Sequence, residues 1–136
     1  FRGAAKQQGS EALLALTETD ATWHRELVPD PILLFRFSAL MFNSHRIHYD
    51  YPYAIGEEQY PALLVQGPLI AVLMMDLLQR NAPDAVVRSL EFKAVRPLYV
   101  GRPLHLRGCP QGDKVRLWAS DDENRLAMTA SAELEA

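Results

Sequence analysis

The sequence predicts an α+β fold in which an antiparallel sheet covers one long apolar helix. Three observations lead there. Between Pro68 and Asn81 the residues Leu69, Ile70, Val72, Leu73, Met74, Met75, Leu77 and Leu78 cover nearly every face of a helix, which must then be buried on most sides. After Asn81-Ala82-Pro83-Asp84 the apolar period switches to two, the signature of half-buried strands. The links between those strands are short and turn-like, so sequence neighbours should pair antiparallel.

Taken in order, residues 1–19 hold small and polar side chains and a brief Leu13, Leu14, Leu16 cluster without sustained period, and are expected to be a linker or arm. Residues 20–136 then form one domain, within the usual length for a single unit. Trp23 and Leu27 alternate with polar neighbours from Ala21 to Val28, a strand signal that Pro29 stops. Asp30-Pro31 is a good helix start, an N-cap acceptor followed by proline where its missing N–H costs nothing, and a short apolar helix runs to about Met41. From Phe42 to Pro61 no period is visible, and a long functional loop is expected. Gln66-Gly67-Pro68 opens the long helix. The strands follow: Leu90, Phe92 and Ala94; Leu104 and Leu106; Val115 and Leu117; and Leu126, Met128, Ala130 and Ala132 point to one face. Their links are Pro97 to Pro103, Pro110 to Asp113 and Asp121 to Asn124. A sheet wrapped around one long helix is the hot-dog arrangement.

Composition excludes several functions. Hydrophobic residues make up 49% and charged residues 23%, as in an ordinary globular protein. With 14 basic against 17 acidic side chains, a net charge of −3, and no basic cluster, nucleic acid is not an expected partner. The longest apolar run, Leu69 to Met75, ends at Asp76 and falls short of the roughly 20 residues that span a bilayer, so no membrane is expected either. Cys109 is the only cysteine, which suits a reducing, cytoplasmic compartment; it lies in Gly-Cys-Pro-Gln-Gly, expected to be a turn, with no acid or base nearby. The chain opens at Phe1 without a basic-then-apolar leader pattern, so no targeting segment is expected.

The chemistry concentrates in Phe42-Asn43-Ser44-His45-Arg46-Ile47-His48-Tyr49-Asp50. An amide, two imidazoles, a guanidinium and a carboxylate sit between apolar helices, where each needs a partner or a task. His48 is the best general acid/base candidate, because its ordinary pKa lets it take and return a proton near neutral pH. His45 could bond structurally or touch the ligand, and Asn43 could simply hold its own turn. Asp50 could orient His48 or tune its charge. His45, His48 and Asp50 also suit zinc in type, but no further His or Cys stands in an obvious place, and no metal or redox cofactor is expected. Arg36, Arg46 and Arg96 are candidates for meeting a ligand carboxylate, or for ordinary salt bridges, and Gln66 is a further candidate ligand contact.

The spacing Asn43-x-His45-Arg46-x-His48-x-Asp50, with Tyr60-Pro61-x4-Gln66-Gly67-Pro68 after it, resembles the MaoC-like, or type 2, enoyl-CoA hydratases, whose motif reads roughly Asp-x-Asn-Pro-x-His. Carried across, His48 takes the His position, Asn43 the Asp position, His45 the Asn position and Arg46 the Pro position. The match is closer to a branch in which Phe-Asn-x-His-Arg-Ile-His-Tyr-Asp is itself the recurrent wording, that of the hydroxyacyl-thioester dehydratases and the mesaconyl-CoA or itaconyl-CoA hydratases. The resemblance covers residues 21–136.

It implies reversible hydration of an α,β-unsaturated acyl-CoA, or dehydration of a 3-hydroxyacyl-CoA, with the acyl-CoA thioester as substrate and no cofactor. It also implies that Gly67, at the head of the long helix, offers its backbone N–H to the thioester carbonyl, where helix-end donors stabilise developing negative charge. Asn43 departs from the Asp of the MaoC-like motif: an amide cannot act as a base, although its carbonyl can hold a water. Branch members often carry a second, degenerate hot-dog unit ahead of the catalytic one, so a homodimer or pairing with a second unit is expected. Two rival readings remain, a hot-dog thioesterase and a non-catalytic acyl-CoA-binding subunit.

Overall fold

Five strands and three α-helices follow one another through residues 20–135, the part of the chain that the structure, a computed structural model, describes. The expected arm at 1–19 lies outside the described residues. Strand β1 (Trp23–Leu27) ends before Pro29, and helix α1 (Pro31–Leu40) starts as its sequence predicts, with Asp30 Oδ1 accepting from Leu33 N–H at 2.7 Å. Helix α3 (Gly67–Asn81) carries the long apolar pattern.

The stretch expected to be an irregular loop is more ordered than that. It contains a 3-10 turn at Arg46–His48 and a short helix α2 (Tyr51–Gly56). Asp50 caps α2 by accepting from Tyr53 N–H at 3.1 Å, with Pro52 in the first turn. This is the device that starts α1, but only six residues follow it, too few for an apolar period to show.

The four later strands are β2 (Val87–Ala94), β3 (Leu104–Gln111), β4 (Lys114–Ser120) and β5 (Leu126–Leu134). All pairings are antiparallel and the order across the sheet is β1-β3-β4-β5-β2. Two links are tight turns, one with Gly112 at φ 67° and one in which Asp121 Oδ1 accepts from Glu123 and Arg125 N–H groups. The third departs from the expectation that sequence neighbours pair: β2 lies against β5, not β3. The 95–103 connection is pinned instead to the lead-in of α3, with Val65 N–H donating to Leu98 O at 2.8 Å and Val100 N–H to Leu63 O at 3.0 Å. Cys109 also departs from its expected turn, standing inside β3 opposite Arg116.

Leu69, Ile70, Met74, Leu77 and Leu78 of α3 are buried with Leu104, Leu106, Val115, Leu117, Ala119, Met128 and Ala132 of the sheet. Met74 and Leu78 are 0% exposed, and each contributes about 1.5–3 kcal/mol by leaving water. Two expectations of burial fail: Val72 on α3 and Phe92 on edge strand β2 are about half exposed. Asp76 ties α3 to β1, accepting from Arg25 Nη1 at 2.8 Å and from Arg80 Nε at 2.6 Å. Gly108 lets β1 lie close: a Cβ there would stand 2.8 Å from the Trp23 ring and 3.0 Å from Leu117 Cδ2. Among the described residues, no helix is long and apolar enough to cross a membrane.

Candidate active site

Helix α1 ends by reversing the chain. Phe42 takes a left-handed φ of 51°, and Asn43 N–H donates to Ser38 O at 2.8 Å. Asn43 Oδ1 accepts from His45 N–H at 3.1 Å, so the amide closes an Asx turn of the kind its sequence position allowed. One lone pair of that oxygen and both Nδ2 protons remain outside this bond.

The 3-10 turn then carries His48 inward, to 7% exposure, while His45 stays exposed. The two imidazoles meet edge to face with centroids 5.6 Å apart. His48 Nδ1 lies 2.7 Å from Leu64 O. A carbonyl can only accept, so Nδ1 carries the proton and Nε2 presents the lone pair of the neutral ring. Burial lowers the His48 pKa below the ordinary histidine value; the Leu64 bond opposes this and the His45 charge adds to it. A neutral imidazole with an open Nε2 is the form a general base needs.

Asp50 turns elsewhere. Its Oδ1 caps α2 and its Oδ2 accepts from Arg46 Nε and Nη2 at 3.1 and 3.0 Å. The Tyr53 N–H and the Arg46 guanidinium hold its carboxyl below the usual range. Arg46 also lies over the Tyr53 ring, 4.1 Å from its centroid. No hydrogen bond joins Asp50 to His48 among the described residues.

Gly67 is buried at the first position of α3, and its N–H donates to no described residue. Pro68 has no N–H, so that helix end offers a donor without local competition. The lead-in to Gly67 is held from several sides. Leu64 N–H donates to Ile47 O at 3.0 Å, and Gln66, 0% exposed, donates through Nε2 to Leu34 O and Ser38 Oγ, both at 2.8 Å. Gln66 Oε1 is the buried side-chain oxygen left without a partner among the described residues.

The structure therefore brings Asn43, His45 and His48 together and links them through Leu64 and Gln66 to Gly67. Arg46 and Asp50 form their own pair beside this group. Arg36 on α1 and Arg96 after β2 are exposed and share no hydrogen bond with it among the described residues. Next to Asn43 a groove of about 330 Å³ is walled by Phe35, Ala39, Phe42 and Tyr49, with Ser38 in its lining. Sequence reasoning passed over Ser38 and the Leu64 carbonyl. Ser38 had a signal, as the one hydroxyl in an apolar helix; a main-chain carbonyl has none.

The family model described as hydroxyacyl-thioester dehydratase type 2 matches residues 2–100. The mesaconyl-C(4)-CoA hydratase of Chloroflexus aurantiacus is 48% identical over 110 residues, covering 81% of this chain and 39% of that protein. The mitochondrial hydroxyacyl-thioester dehydratase type 2 of Schizosaccharomyces pombe is 39% identical over 80 residues, 57% of this chain and 27% of that one. The chain thus spans well under half the length of either relative. Among solved structures, the unliganded R-hydratase of Pseudomonas aeruginosa superposes with a TM-score of 0.71 at 16% identity, covering 83% of this chain and 77% of that one, a likeness of hot-dog fold.

Proposed function

The chain belongs to the hydroxyacyl-thioester dehydratase type 2 family, and from that premise we propose that it adds water reversibly to an α,β-unsaturated acyl-CoA. The observation that carries this reading is the buried His48, fixed by Leu64 O with Nε2 open, in a segment stitched to the head of α3.

In the forward direction Nε2 takes a proton from water as the water oxygen bonds to the β-carbon. The π electrons move toward the thioester carbonyl, which bonds the Gly67 N–H, and the α-carbon then takes the proton back from His48. Donors already aimed at the developing charge lower the barrier without reorganising. The free lone pair of Asn43 Oδ1 orients the water. His45, edge-on to His48, disfavours the charged ring and so favours return of its proton.

Mesaconyl and itaconyl esters head the substrate panel because of the resemblance to a mesaconyl-C(4)-CoA hydratase. The working unit is a pair of hot-dog domains, either two copies or this one with a second unit. Among the described residues strands β1 and β2 each have one neighbour in the sheet, and Leu40 and Met41 at the end of α1 are more than half exposed. The cytoplasm suits a chain whose single cysteine is unpaired.

A second reading has one observation behind it: Asn43, where the broader MaoC-like motif places an acid, favours an acyl-CoA-binding subunit without turnover. Incubation with enoyl-CoA esters separates the readings. Loss of the enoyl-thioester absorbance with no free thiol supports hydration; free thiol indicates a thioesterase; saturable binding with neither change supports the binding subunit.

A further inference from the structure

Ser38 sits on α1 at 5% exposure, yet it lines the groove beside Asn43. Its oxygen already accepts from Gln66 Nε2, and that direction is fixed. The other acceptor of the same Nε2 is Leu34 O, a carbonyl, so turning the amide over would set two oxygens against each other. The hydroxyl proton of Ser38 must then point away from Gln66, and no described residue accepts it. A nine-tenths buried donor without an acceptor costs free energy unless something arrives to take the proton.

The rest of the groove says what kind of group that is. Asn43 Oδ1 accepts from His45 N–H, and its second lone pair serves the reacting water in the proposed mechanism, which leaves the Nδ2 protons as the polar groups of Asn43 not yet assigned. The Tyr49 hydroxyl is spent on Ser44 O at 3.0 Å. Ser44 can act either way, and the remaining walls are Phe35, Ala39 and Phe42. The groove is thus apolar, uncharged and biased toward donors. It suits a neutral carbonyl oxygen better than a carboxylate, whose desolvation nothing there would offset. A thioester of CoA carries such oxygens on its acyl carbon and on the two amides of its pantetheine arm. In the proposed reaction the acyl oxygen is met by Gly67.

We propose that this groove receives the pantetheine arm, with Ser38 donating to an amide carbonyl and Gln66 acting as the positioning residue that aims the Ser38 hydroxyl. The inference rests on the acyl-CoA reading above.

The test is calorimetric binding of crotonyl-CoA to the wild-type chain, Ser38→Ala, Gln66→Met and the double variant, each first shown to be folded by circular dichroism and thermal unfolding. Ser38→Ala should weaken binding about tenfold, as loss of one buried hydrogen bond does. Gln66→Met should weaken it to a similar degree, and the double variant should be no weaker than Ser38→Ala, because Gln66 acts through Ser38. In turnover the loss should fall on KM rather than kcat for crotonyl-CoA and be missing for S-ethyl thiocrotonate, which keeps the acyl carbonyl and lacks the amides. Equal affinity of Ser38→Ala and wild type overturns the inference. So do additive losses, an equal loss with S-ethyl thiocrotonate, or a wild-type chain that binds no crotonyl-CoA. A wild-type chain that binds but does not turn over sinks the hydratase reading alone.

Discussion

Replacing His48 by asparagine separates its chemistry from its packing. Asparagine places Nδ2 where histidine places Nδ1, so the donor to Leu64 O at 2.7 Å is kept while Nε2 is removed. In His48→Ala that carbonyl, beside a buried ring at 7% exposure, loses its partner, which costs about 1–3 kcal/mol in addition to lost packing. His48→Asn should therefore be closer to wild type than His48→Ala in thermal or urea unfolding. Loss of the general base should lower turnover by roughly 10²–10⁴-fold in both variants, or about 2.7–5.5 kcal/mol in the barrier. The assay is loss of the enoyl-thioester absorbance under saturating crotonyl-CoA. A folded His48→Asn that turns over within tenfold of wild type would refute the assignment of proton transfer to Nε2.

Four further outcomes are expected. The acid limb of the kcat/KM profile should have its midpoint below the ordinary histidine value, because burial lowers the His48 pKa; Asp50→Asn should leave that limb in place, since Asp50 bonds Tyr53 N–H and Arg46 instead. Stability has the same sign: below about pH 6.5 the unfolded chain binds the proton that folded His48 resists, so stability falls with pH from there down through the lowered folded pKa and levels off beneath it, as acid unfolding can show. Asn43→Asp keeps the acceptor for His45 N–H and introduces the acid of the broader MaoC-like motif, so kcat should rise, whereas Asn43→Ala opens the Asx turn and should lower it; equal rates in all three would remove Asn43 from the mechanism. Gly108→Ala drives a methyl against the Trp23 ring and should cost about 1–3 kcal/mol in chemical unfolding, with a wild-type midpoint contradicting the close approach of β1.

Much of this fold was legible because its signals are local. The Asp30 cap, the apolar surface of α3 and the alternation in β3, β4 and β5 each follow from neighbouring residues. What escaped was decided across the chain. Nothing between Ala94 and Leu104 announces that β2 will lie on β5, since that choice belongs to the 63–65 segment holding the connection. Helix α2 had a cap but no length. In the site, His48 and Asn43 stood out as costly polar residues between apolar helices. The tautomer of His48 did not, because a main-chain oxygen at 64 sets it; nor did the commitment of Asp50 to a helix cap.

The attachment of the 95–103 connection to residues 63–65 has a consequence for the order in which the molecule becomes competent. Leu64, whose carbonyl orients His48, is held on either side by bonds to Leu98 and Val100, some 35 residues further along the chain. Closing so wide a loop is entropically slow, and contacts of that span consolidate after the turns and helices within each half. The imidazole can thus reach its place in the sequence well before the oxygen that orients it is fixed. Refolding followed by helical circular dichroism should run ahead of the return of any activity.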